Sequence, residues 1–185
     1  MTRYVRCIVC GYIMEESELK ELCPACGLPK TVFEVYPKKI SPQRRFLLDQ
    51  HLHPIAIHFT QVLILLIVAL PLLSLIVRDP WRSEFLIIAK WAIYLLPLTV
   101  LGGFLTGLFD GNLRFKKLTT PLLINKMIVG LIFQLLSVAI LAYYLLDGFA
   151  GNTLWMIVGL AVICTACAIY LGRKGATMFD SVIPG

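Results

Sequence analysis

Residues 7–30 read CIVCGYIMEESELKELCPACGLPK, two CxxC pairs separated by twelve residues. Each pair brings two soft thiolates to one side of a metal ion, so Cys7, Cys10, Cys23 and Cys26 together form a complete tetrahedral sulfur set. Such a set selects zinc or iron, and the spacing alone does not choose between them. Gly11 and Gly27 follow the second cysteine of each pair. There a positive φ lets backbone N–H groups turn toward sulfur, which predicts two tight metal-binding knuckles.

Outside this head the chain changes character. It has 185 residues, 58% of them hydrophobic and only 15% charged, with a mean hydropathy of +0.82. That composition belongs to a polytopic membrane protein. The apolar residues gather at about 54–77, 85–109, 122–146 and 153–171, each long enough to cross roughly 30 Å of hydrocarbon. The expected fold class is therefore a small metal-knuckle domain plus an all-α transmembrane four-helix bundle. No cleavable signal peptide is expected ahead of the first span.

Orientation is read from the bases, which resist translocation. Lys38, Lys39, Arg44 and Arg45 precede the first span, Arg114, Lys116 and Lys117 lie between the second and third, and Arg173 and Lys174 follow the fourth. The other side has Arg78 and Arg82, accompanied by Asp79 and Glu84. The expectation is a multi-pass protein of the cytoplasmic (inner) membrane with both termini cytosolic. Topology accounts for the net charge of +6, and no nucleic-acid partner is expected. In a reducing compartment the four head cysteines are metal ligands rather than disulfides.

The stretch YVRCIVCGYIMEESELKELCPACGLPKTVFEVY, residues 4–36, resembles a rubredoxin domain of the short kind found in rubrerythrins. Tyr4, Cys7, Cys10, Gly11, Tyr12, Cys23, Pro24, Cys26, Gly27, Pro29, Lys30 and Phe33 carry the resemblance. The segment between the knuckles is shorter than in full-length rubredoxins. The resemblance implies one iron, cycling between ferric and ferrous with little ligand movement. A structural zinc ribbon is the alternative, its metal folding a segment too small for its own core. Tyr4, Tyr12 and Phe33 are expected to pack around the metal.

The domain reading is a head at 1–36, a basic juxtamembrane linker at 37–52 that holds the head near anionic headgroups, a membrane domain at 53–175 and a cytosolic tail at 176–185. All three histidines lie in HLHPIAIHFTQ, residues 51–61. His53 is expected at the helix cap, Pro54 as the first helical residue, and His58 and Gln61 further along one face. Asp110, Asn112 and Arg114 follow the second span, and Asn125, Lys126 and Met127 open the third. Polar groups converging at one membrane boundary form a candidate site for haem b or a quinone, with His53, His58, Gln61, Asp110, Arg114, Asn125, Lys126 and Met127 as its residues. Capping, snorkelling and an Asp110–Arg114 ion pair are the plainer reading of the same set. Gln134 is expected to hydrogen-bond another helix, Gly102, Gly103 and Gly107 to allow close helix packing, and Cys164 and Cys167 to pack within the fourth span.

His53, Pro54, His58, Phe59, Thr106, Gly107 and Asp110 resemble the wording of an uncharacterised family of small four-helix bacterial membrane proteins, suspected of holding haem b through histidines on different spans. This chain departs from that pattern, having no histidine on spans two to four. A haem would need His58 paired with Met127, Lys126 or another non-histidine ligand, a geometrically awkward use of His53 or His51 from the same segment, or a ligand from a homodimer or another membrane subunit.

The function expected is a membrane-anchored rubredoxin-like one-electron carrier. It would link a cytosolic redox protein with the quinone pool or a haem-bearing subunit, within a larger electron-transfer complex rather than as a self-sufficient enzyme. The alternatives are a zinc-ribbon interaction or assembly module and a cysteine-based redox or metal sensor.

Overall fold

A computed structural model describes residues 3–36, 41–115 and 118–176. Linker residues 37–40, Lys116, Lys117 and the tail from 177 onward lie outside the described residues. The chain divides into two compact units, with the boundary after Arg45 and the larger unit spanning Phe46–Gly175.

The smaller unit is a three-stranded antiparallel sheet in the order β2-β1-β3, formed by β1 Tyr4–Cys7, β2 Ile13–Glu15 and β3 Phe33–Tyr36. Val5 in the central strand pairs with Met14 on one side and Val35 on the other. Alternation along β1 buries Val5 and Cys7 together, and Met14 joins Val5 on the inner face. The strands have three or four residues each, too few to hold a hydrophobic core of ordinary size. The sulfurs take over that role. Cys7, Cys10 and Cys23 are buried, with Val9, Cys26, Val32 and Phe33 packed against them. The aromatic shell expected from the sequence forms only in part. Phe33 joins the cluster, but Tyr12 is 41% exposed and Tyr4 turns its hydroxyl outward to donate to Glu15 Oε1 at 3.2 Å.

Five helices follow: α1 Pro42–Asp49, α2 Leu52–Leu73, α3 Trp81–Phe115, α4 Pro121–Asp147 and α5 Thr153–Ala176. Four helical stretches are long and apolar enough to cross a membrane: Phe46–Leu73, Trp81–Phe115, Pro121–Asp147 and Thr153–Ala176. Their outward surface is apolar, with Leu65, Leu98, Leu135 and Ile169 all more than half exposed. In water such a surface would be prohibitive, whereas in lipid it is the required one.

The helix limits differ from the sequence reading in three places. Part of the linker folds as α1. His51 is the residue ahead of α2, in the left-handed region at φ 49, so His53 is inside the first turn and Pro54 follows it. Proline is tolerated there because the first four N–H groups of a helix have no intrahelical partner. Finally, α3 runs on through Asp110 to Phe115, past the apolar stretch that ends at about Phe109. An Arg114–Asp110 pair at i,i+4 spans that extra stretch at 2.8 Å.

Ile64 and Ile67 of α2, Ile93 and Leu96 of α3, Phe133 and Ile140 of α4 and Ile157 of α5 form the centre of the bundle. Small residues bring the helices together. Gly103 faces Ile57 and Gly107 faces His53 across the α2–α3 seam, while Gly111 faces Leu123 and Gly130 faces Phe104 across α3–α4. Gly102, expected in the same role, faces open space. Cys164 is buried in the core, with Cys167 packed against it.

Candidate metal centre and the polar end of the bundle

The two knuckles are built alike. In the first, Cys7 N–H donates to Tyr12 O at 2.8 Å and Gly11 N–H returns to Cys7 O at 2.9 Å. In the second, Cys23 N–H donates to Leu28 O at 2.7 Å and Gly27 N–H to Cys23 O at 2.9 Å. Both glycines have the positive φ that this turn demands, 76° and 73°. Leu22 bridges to Pro29 at the base of the second loop, and Ile8 N–H donates to Val32 O at 3.0 Å from the first.

The loops bring four sulfurs within 4.8 Å of one another. Cys7 and Cys26 Sγ atoms are 3.9 Å apart and those of Cys10 and Cys23 3.7 Å. A tetrahedral site with metal–sulfur bonds of about 2.3 Å has sulfur–sulfur edges of about 3.8 Å. A disulfide would need about 2.05 Å. The residues therefore fit one metal ion. Backbone donors also reach the sulfurs: the N–H groups of Val9 and Cys10 bond Cys7, that of Tyr12 bonds Cys10 and that of Leu28 bonds Cys26. These donors stabilise thiolate character and are the second layer of a sulfur site. Sequence reading anticipated N–H groups turned toward sulfur at these glycines, and the structure identifies them as those of Val9, Cys10, Tyr12 and Leu28.

Burial opposes the Cys7 thiolate, yet the Cys10 and Val9 N–H groups and the neighbouring thiols bring its pKa down to about 7. Cys10 goes the other way. The Tyr12 N–H favours its thiolate, but burial and the three other sulfurs push it up to about 12. For Cys26 the Leu28 N–H favours the thiolate, and burial with the sulfurs of Cys23 and Cys7 raises its pKa nonetheless.

The polar residues expected to converge in the membrane unit divide into two groups. His53 Nδ1 lies 3.0 Å from Gly103 O and 3.4 Å from Thr106 Oγ1, and Thr106 itself donates to Gly102 O at 2.8 Å. Asp110, Arg114 and Lys126 are close enough to act electrostatically on His53. These four come together with Gly103, Thr106 and Gly107, which sequence reading had assigned to packing and family wording. The GGFLTG run was the signal: small residues one helical turn apart make a slot for a ring. His58 and Gln61 do not join them. Both are exposed on the outward side of α2, His58 Nδ1 lying 3.4 Å from Gln61 Oε1. Five residues along a helix rotate a side chain by about 140°, which separates His58 from His53. Asn112 and Asn125 are exposed and Met127 is half-buried. Deeper in the bundle, Thr60 Oγ1 and Gln134 Oε1 are buried with no hydrogen-bond partner among the described residues, so the oxygen of Gln134 does not make the interhelical bond expected of that side chain.

No curated protein and no solved structure is significantly similar to the chain. Residues 6–34 match the family described as rubrerythrin, rubredoxin-like domain. With its three-stranded sheet and four gathered sulfurs, the N-terminal head is rubredoxin-like, fused to four apolar helices of membrane-spanning length.

Proposed function

We propose that the protein is a membrane-anchored one-electron carrier. Its head would hold one iron ion through Cys7, Cys10, Cys23 and Cys26 and exchange electrons between a cytosolic redox protein and the quinone pool or a haem-bearing subunit of a larger complex. The single observation that supports this best is the closed set of four sulfurs on two matched, N–H-decorated knuckles, joined to four membrane-length helices. Iron bound there supplies a one-electron couple. The chain's own contribution is to hold the sulfurs in place, so that little reorganisation accompanies a change of charge. N–H donors spread over three of the four sulfurs offset the negative charge of the site. Burial of Cys7, Cys10 and Cys23 keeps water away, while Cys26 is partly open and offers the route for exchange. The bias of basic residues supports a cytosolic head, with both termini on that side of the inner membrane.

The same sulfur geometry accommodates zinc, and a head whose core consists of its ligands suits a metal that only folds it. Metal analysis and the visible spectrum of detergent-purified full-length protein decide between the two. The expected result is stoichiometric iron and a red oxidised form that bleaches with dithionite. A colourless protein loaded with zinc overturns the carrier reading and leaves the assembly-module reading.

A further inference from the structure

The three histidines are not equivalent. His58 faces outward, whereas the His53 ring is held at one edge by the Gly103 carbonyl and Thr106 and packs against Gly107, where an added Cβ would stand 3.0 Å from Cε1. A carbonyl only accepts, so Nδ1 carries the proton in that hydrogen bond. In the neutral ring Nε2 then holds the lone pair, fixed in direction by the clamp. Among the described residues Nε2 has no hydrogen-bond partner. The charges of Lys126, Asp110 and Arg114 act on the ring, and Arg114 is already paired with Asp110 at 2.8 Å. The site thus presents one aimed acceptor in the field of the Lys126 ammonium and an Asp110–Arg114 pair.

We propose that the membrane domain binds a quinone headgroup at His53, with Nε2 accepting from a quinol hydroxyl and Lys126 donating to a quinone oxygen. A lipid phosphodiester fits less well because it offers only acceptors, and the Nε2 lone pair would repel it. A haem held by two histidines on different helices is unavailable within one chain, since all three histidines lie within residues 51–58. The inference rests on the reading that the quinone pool is the membrane-side counterpart of the head, and it replaces His58 with His53 as the residue that meets the ligand.

The test uses full-length protein in lipid nanodiscs with decylubiquinone and a short-tail naphthoquinone as probes. One quinone should bind per chain. His53→Ala should weaken binding by about tenfold, the value of one lost hydrogen bond, while His58→Ala leaves it within about twofold. Because His53→Ala could disturb the helix seam, pulsed electron paramagnetic resonance of the semiquinone in unmutated protein supplies an independent readout. Coupling to one imidazole nitrogen should be seen, and it should persist in His58→Ala. Absence of binding, absence of that coupling, or its loss in His58→Ala overturns the assignment. A Soret band in the purified protein that is lost in His53→Ala also overturns it, in favour of haem. Zinc in the head with quinone binding intact overturns the carrier reading alone, and iron in the head without quinone binding overturns the His53 assignment alone.

Discussion

Gly11 and Gly27 occupy the same position in two loops of identical bonding, each donating its N–H to the carbonyl of the cysteine four residues back, with φ of 76° and 73°. The head is thus one device used twice. Nothing lies within 4 Å of a Cβ added at either glycine, so any cost of substitution is purely conformational. Gly11→Ala and Gly27→Ala should each destabilise the metal-loaded head by about 1–2 kcal/mol. Chelator-challenge rates on the two variants would measure this. Equal effects are expected, and a large difference would show that the loops are not energetically alike.

Removing a ligand should act quite differently from removing a core cysteine. Cys10→Ala leaves three sulfurs and should abolish stoichiometric metal retention, since a head this small depends on its metal to fold. Cys164→Ala, far along α5, should leave metal content and spectrum unchanged and cost only core packing, about 1 kcal/mol. Metal analysis of both variants by mass spectrometry checks the contrast.

Metal affinity should depend on pH with a definite sign. Ligation needs thiolates, and at neutral pH the metal-free head keeps protons on Cys10 and Cys26, whose pKa values are raised. Metal uptake therefore releases protons, and affinity falls as pH falls. Cys7, at about 7, adds one further proton to be displaced once the pH drops below that value. The plot of log affinity against pH should steepen on the acid side of about 7. Competition against a chelator of known proton affinity would trace it, and a slope that flattens toward acid would contradict the assignment of Cys7.

The helix seams give a prediction that needs no cofactor. A Cβ at Gly130 would sit 2.8 Å from Phe104 Cδ2, so the half-buried ring or the α3–α4 spacing must shift to admit it. Gly130→Ala should lower thermal stability in detergent, by an amount equivalent to about 1–3 kcal/mol of overpacking. Gly102→Ala, which meets nothing within 4 Å, should be neutral or slightly stabilising because alanine favours the helix. Fluorescence-detected melting of the two variants separates them.

Much of this architecture was legible in the sequence for physical reasons. Four sulfurs in two CxxC pairs can do little but gather around an ion, and long apolar stretches cannot be left in water. Direction around a helix was less legible. His53 and His58 looked like one site because their spacing in sequence is short, yet only the seam with Gly103 and Gly107 decides which of them turns inward. The end of α3 was misread for a related reason. Asp110, Gly111 and Asn112 interrupt the apolar run, and the Asp110–Arg114 pair, which the sequence did offer as the plainer reading, spans them within the helix. Thr60 and Gln134 show the same gap, since no pattern in the chain announces that an oxygen will be buried without a partner.

The 35 residues of α3 make a rod about 52 Å long, against about 30 Å of hydrocarbon, whereas the 24 residues of α5 come to only about 36 Å. Such a rod either leans or stands proud of the lipid, and its proline, Pro97, falls near its midpoint. A change in bilayer thickness is met by a change of tilt, and a swing of about 10° would carry one end roughly 9 Å relative to the other. Asp110 and Arg114 ride on that end. The excess length of the longest helix is thereby what carries its charged rim past the hydrocarbon.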